Sequence, residues 1–130
     1  MKEKGFTLVE LLAVIVILAV ISLIATPMVL GVIEKTKKSA AIESANGILD
    51  AAEKNMIESM LNGESKTKYD LSNDTSLSYK GEKPEKGIVQ TNEDGDTRVM
   101  FYKDGFCITK SYTETDVNVT ETTIDNCLLR

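Results

Sequence analysis

From Leu11 to Ile33 the chain runs 23 residues without a charged side chain. As an α-helix that stretch is about 35 Å long, enough for the roughly 30 Å hydrocarbon core of a bilayer. Composition divides at its end. From Phe6 to Ile33, 22 of 28 residues are apolar; from Glu34 to Arg130, 32 of 97 are. The first part has the make-up of a membrane segment and the second that of a small polar, soluble module. The run is too long for the apolar region of an ordinary secretory signal, and no small-residue cleavage site follows it. Lys35, Lys37 and Lys38 follow the run while Lys2 and Lys4 precede it, so charge counting alone does not set its orientation.

The rest of the composition removes whole classes of function. Lys and Arg number 15 against 20 Asp and Glu, a net charge of -5, which argues against a generally basic nucleic-acid binder. There is no His, which excludes imidazole catalysis and His-ligated zinc or haem. The 2 cysteines cannot supply the thiolates of an iron–sulfur cluster. No nucleophile–base pair, metal cluster or phosphate loop is present. The expectation is a non-enzymatic chain without catalytic residues, resident metal or cofactor.

Glu10 is the fifth residue of the apolar segment that opens at Phe6. A carboxylate costs about 2.5–3.5 kcal/mol at the centre of a membrane helix and less near the interface, so such a residue asks for a partner. The positions three and four residues away are Phe6, Thr7, Ala13 and Val14, and none is a cation. Lys2 and Lys4 lie upstream of the apolar segment. A new amino terminus created by cutting nearby would be a suitable cation.

The segment Lys4-Gly5-Phe6-Thr7-Leu8-Val9-Glu10-Leu11-Leu12 resembles the processing site of type IV pilins and the related pseudopilins. The likeness extends over about the first 60 residues. It implies a leader, residues 1–5, that a membrane-embedded prepilin peptidase removes between Gly5 and Phe6 on the cytoplasmic side. It also implies methylation of the Phe6 amine and a role for Glu10 in subunit assembly. Local chemistry agrees: Gly5 admits close approach of a protease, and Lys2 and Lys4 hold the leader in the cytoplasm. Loss of Lys2, Glu3 and Lys4 takes the side-chain charge from -5 to -6. The implied fold is α+β and type IV pilin-like: a long N-terminal helix with a small antiparallel β head packed on its C-terminal half. The expected divisions are the leader 1–5, a transmembrane or filament-core helix 6–33, an amphipathic continuation 34–62 and the head 63–130.

Pro27 and Gly31 interrupt the apolar run. Proline removes a backbone donor and crowds the preceding turn, so a kink is expected here; loss of helicity in a packed filament is implied by the resemblance alone. After Glu34, Ile42, Ala45, Leu49, Ala52, Met56 and Met60 recur at helical spacing and predict one apolar face. Gly63 is the predicted stop.

Gly63 to Lys86 reads as a polar connection tethered by Leu71, Leu77, Tyr69 and Tyr79, long enough to hold a short strand or turn. Strands are expected at Gly87–Thr91, Thr97–Tyr102 and Phe106–Tyr112, with turns at Asn92–Gly95 and Lys103–Gly105. Val99 and Phe101 would share one face, as would Phe106 and Ile108. Val117–Thr120 would add an edge strand. Cys107 and Cys127 can be bridged if the head lies outside the cell, or remain as two free thiols. Asn92, Asp94 and Asp96 surround Gly95. Gly95 is out of step with a calcium loop and Lys103 stands where a closing acid is needed, so a solvated turn is expected. Asn73-Asp74-Thr75 and Asn118-Val119-Thr120 match the glycosylation triplet, which is too common to use.

The leading reading is a structural subunit of a type IV pilus, a helical homopolymer of this chain. Its implied partners are the prepilin peptidase and methyltransferase, the assembly platform with its ATPase, and the cytoplasmic membrane before export to the cell surface. The alternatives are a pseudopilin of a type II secretion or competence system, where nucleic acid enters only indirectly, and a membrane-anchored binding ectodomain.

Overall fold

The computed structural model describes residues 4–64, 66–73 and 77–128. Most of the expected leader (Met1–Glu3, with Lys2) and part of the Asn73-Asp74-Thr75 triplet lie outside the described residues. The chain divides into two compact units at Thr36 and Lys37. Helix α1 runs from Leu8 to Asn62. It is followed by β1 (Lys68–Asp70), β2 (Lys86–Thr91), β3 (Thr97–Lys103), β4 (Phe106–Lys110), β5 (Asn118–Glu121) and the short helix α2 (Ile124–Leu128).

In the first unit α1 is apolar on every side, and its large side chains from Leu8 to Ile33 are exposed. By length and composition it can cross a membrane. The helix continues through Pro27 and Gly31, so proline does not end it. Pro27 has no amide to give the Leu23 carbonyl. The hydroxyls beside it turn back onto the helix: Ser22 Oγ donates to the Leu18 carbonyl and Thr26 Oγ1 to the Ser22 carbonyl, each at 2.7 Å.

In the second unit the strands form one antiparallel meander, each beside its neighbour in sequence. One face of the sheet packs on the end of α1. Ala41, Ala45, Ile48, Ala51 and Ala52 meet Tyr69, Leu71, Leu77, Val89, Val99, Phe101, Phe106 and Ile108 in a single cluster. Period-two alternation places Val99, Phe101 and Lys103 of β3 inward and Met100 and Tyr102 outward. The buried face of α1 is Ala41, Ser44, Ala45, Ile48, Ala51, Ala52 and Met56. This corrects the predicted stripe: Met60 is exposed and Ile42 and Leu49 are only half-buried.

Around Ser44 and Gly47 the reason is a close crossing. The backbone at Lys80–Glu82 lies directly on α1. The Glu82 amide donates to Ser44 Oγ at 3.1 Å. A Cβ on Gly47 would fall 2.2 Å from the Lys80 carbonyl oxygen, and one on Gly81 (φ +114°) would fall 2.9 Å from the Ser44 Cα. Small side chains therefore line the crossing itself, with Ile48 filling the core beside it.

Lys103 is buried by β3 and ties the same segment to the sheet. Its Nζ lies 3.0 Å from Glu82 Oε2 and 3.7 Å from Asp104 Oδ2, and donates to the Lys83 carbonyl at 3.4 Å. Burial works against the ammonium. The hydrogen bond to Glu82 and the charges of Asp104, Glu82 and Glu85 outweigh it and hold its pKa above the ordinary lysine value.

Other boundaries have local causes. Asp104 (φ 49°) and Gly105 (φ 90°) make a two-residue hairpin turn with both residues left-handed. α1 ends in a Schellman motif: Gly63 (φ 75°) donates to Met60 O at 3.4 Å and Glu64 to Ser59 O at 2.8 Å. β4 stops at Lys110 rather than Tyr112. The Ser111 amide turns away to Glu114 Oε2 at 2.8 Å. The edge strand is Asn118–Glu121, one residue later than expected.

Gly47→Ala tests the crossing. In an open helix interior this change stabilises by about 1 kcal/mol. Here it should destabilise the head by about 2 kcal/mol, because the new methyl meets backbone. Asn46→Ala, exposed on the same helix, should cost nothing. Urea unfolding followed by the β signal in circular dichroism decides between them.

Candidate functional site

Two places carry the residues singled out in the sequence. The first is the start of α1. Lys4 to Thr7 precede the helix in non-regular backbone. Gly5 has no atom within 4 Å of where a Cβ would sit, and Phe6 is 91% exposed. The Gly5–Phe6 bond is thus open on the described side of the chain.

α1 starts at Leu8 because Thr7 caps it. The Thr7 amide donates to Glu10 Oε2 at 2.9 Å, and the Glu10 amide donates to Thr7 Oγ1 at 3.3 Å. Leu11 donates the first helical bond to the Thr7 carbonyl at 3.2 Å. This reciprocal pair is a capping box, which satisfies two of the free donors at a helix start. Thr7 is the functional candidate that the sequence reading passed over. Its signal was present as Thr-x-x-Glu just before an apolar run. The Glu10 carboxylate also sits in the first turn, where the positive end of the helix dipole favours it.

The second place is the C-terminal end of the head. Cys107 and Cys127 are joined in a disulfide with Cα atoms 5.4 Å apart. Cys107 faces away from α1, on the outer side of β4, and α2 brings Cys127 to it. Cys127 is fully buried and its sulfur lies 3.5 Å from the Phe101 carbonyl oxygen. The closed segment holds the end of β4, the turn at Ser111–Glu114, β5 and most of α2. Glu114 organises its turn. The Ser111 amide and the Asn118 side-chain amide bond its carboxyl and hold it below the usual glutamate range.

Between this segment and the outer sheet face lies a cleft of about 380 Å³ lined by Ile88, Met100, Thr109, Tyr112 and Arg98 among others. The Arg98 guanidinium stacks 5.5 Å from the Tyr112 ring and bonds Gln90 Oε1, so its charge is already engaged.

The Asn92–Asp96 loop turns on its own side chain. Asn92 Oδ1 accepts from the Asp94 amide at 3.1 Å and the Asp96 amide at 2.8 Å. Among the described residues no three Cys, Asp or Glu side chains converge as a metal site.

One known signature matches the chain. It is the prokaryotic N-terminal methylation motif, and it covers residues 1–26. No curated protein and no solved structure gives a significant match. The matched stretch contains Gly5, Phe6, Thr7 and Glu10. It is the prepilin-type signature and supports a type IV pilin-like or pseudopilin protein. It points to a structural subunit rather than an enzyme, and it implies processing by a prepilin peptidase. Together with the apolar helix it fits a membrane-anchored precursor.

Two expectations follow from the geometry. Thr7→Val should remove the cap and cost the first turn about 1 kcal/mol. Amide hydrogen exchange at Val9 and Glu10 in micelles should then rise about fivefold, with the head unchanged. Reduction of the disulfide should lower the stability of the head by about 3 kcal/mol. Equal unfolding midpoints with and without reductant would contradict it.

Proposed function

We propose that this chain is the precursor of a structural subunit of a type IV pilus. Residues 1–5 are its leader, and hydrolysis of the Gly5–Phe6 amide releases a subunit that starts with the Phe6 amine. That amine is then methylated. It stays cationic after methylation, since a secondary amine is as basic as a primary one. The observation that carries the reading is the methylation motif lying across Gly5, Phe6 and Glu10 at the head of an exposed apolar helix.

Cutting before the apolar segment keeps that segment in the mature protein, where it serves two environments in turn. In the membrane, lipid covers it. In a filament, the same segments of neighbouring subunits cover one another, and the heads face water. Glu10 is the one charge inside the segment, and an unpaired carboxylate in a dry bundle is strongly penalised. The Phe6 amine of a neighbouring subunit neutralises it. Only one axial stagger brings the two charges together, so the pair also sets register. The prepilin peptidase and methyltransferase, the assembly platform and its ATPase are the proposed partners. The filament itself is a helical homopolymer at the cell surface.

A pseudopilin of a secretion or DNA-uptake machine would carry the same motif. The disulfide-closed end suits a head outside the cytoplasm under either reading. Electron microscopy of sheared surface material separates the two: long fibres built of this chain support the pilus, and their absence at native expression supports the pseudopilin.

The test of the N-terminal chemistry is intact mass and N-terminal peptide analysis of those fibres. The subunit should begin at Phe6 and carry a methyl group on its amine. A start at Met1 or Lys2 in assembled fibres contradicts the proposal. Glu10→Leu should still be inserted and cut at Gly5, yet give at least tenfold fewer fibres in a strain without wild-type subunit. Normal yield would remove the charge-pairing account.

A further inference from the structure

Among the described residues, large apolar side chains are exposed in two places only. One is the stretch from Phe6 to Ile33. The other is Ile57, Met60 and Leu61 near the end of α1, which are 57%, 60% and 81% exposed. Their spacing of three and four puts them on one helix face. Ile57 and Leu61 are turned away from the side that Ala51, Ala52 and Met56 bury, and Met60, one turn beyond Met56, is exposed beside them. Every other large apolar side chain described in the head is buried or half-buried. These three are therefore not a general looseness of the head but a defined patch.

The rim of the patch is acidic. Glu53, Glu58 and Glu64 are exposed around it, with Lys54 as the one cation on the same turns. The apolar stretch ends with the opposite net sign: Glu34 follows Ile33, then Lys35, Lys37 and Lys38, and all four are exposed. An apolar surface bordered by acids and an apolar surface bordered by lysines are complementary in both terms.

We propose that Ile57, Met60 and Leu61 are a docking surface for a second copy of this chain. The occupant is the last turns of that copy's apolar stretch, Met28 to Ile33. The second copy's Lys35, Lys37 and Lys38 meet the acidic rim. The inference rests on the polymer reading above and adds a named contact to it. A homopolymer presents both surfaces in equal number. An anionic membrane surface fits the patch poorly, because the acidic rim repels it.

The experiment places p-benzoylphenylalanine in place of Met60 in the full chain and irradiates intact fibres assembled from two isotopically distinct pools. The expected product is a covalent dimer with the adduct in residues 28–35 of the other pool. An adduct confined to lipid, or to the head of another copy, overturns the contact. So does the absence of any adduct in fibres that form. In parallel, Met60→Asp should lower sheared-fibre yield at least tenfold, while cleavage at Gly5 and thermal unfolding of the head stay as in wild type. Unchanged yield overturns the contact and leaves the polymer reading standing. A wild-type chain that is cleaved but never found in a fibre overturns the polymer reading, and the contact with it.

Discussion

Ser44 and Gly47 let backbone lie on α1, and the head is arranged around that contact. The connection from β1 to β2 is long, and a long segment without strands of its own needs fixed points. It has three. Leu77 is buried in the shared core, the Glu82 amide bonds Ser44, and Lys103 reaches across from β3 to Glu82 and the Lys83 carbonyl. A bulkier residue at Ser44 or Gly47 would lift the segment and loosen all three. The sheet is held at matching closeness. Gly87 pairs with Phe101, and a Cβ there would fall 2.3 Å from the Phe101 Cβ. The absence of a side chain at Gly87 is what lets the largest core residue lie flat over β2.

The other face of the sheet is secured by chemistry rather than area. α2 is one short turn and buries little apolar surface of its own. The Cys107–Cys127 bond holds it over β3, so that β3 is covered on both sides. A small head has a limited core, and a covalent staple constrains the unfolded chain where further burial is not available. Within the Thr-rich segment between the cysteines, Ile108 belongs to the core and Val117 and Val119 pack against it, so the segment is held by burial as well as by the bond.

The strands were legible because their signals are local. Alternation in Thr97–Lys103 and the Asp104-Gly105 turn need no knowledge of the rest of the chain. The buried helix face is not legible from side-chain size: Ile42, Leu49 and Met60 have the size of core residues, whereas Ser44 and Gly47 are set by how closely another backbone approaches, which no window of sequence records. α2 leaves no signal in the sequence, since five residues carry no helical period of their own. At the N-terminus the reverse happened. Thr7 and Glu10 are three residues apart and their pairing is a local pattern, legible at the helix start itself without any distant cation.

That local pairing changes what an intersubunit contact for Glu10 has to accomplish. Before any neighbour arrives, the carboxylate already accepts the Thr7 amide and stands at the positive end of α1. It is therefore tolerated at the edge of a membrane without a cation. Under the polymer reading, assembly adds a cationic partner to a carboxylate that the box already holds, since a carboxylate has two oxygens and the Thr7 amide takes only Oε2. A cationic amine makes a bond roughly twice as strong as a neutral amide does, and the advantage grows as water leaves. At the wet membrane interface that added bond is worth little; in the dry core of a bundle it is worth more. The same residue can then be stable as a lone subunit and selective for a neighbour, with the box aiming the carboxylate and the dielectric around the helix setting what the second partner adds.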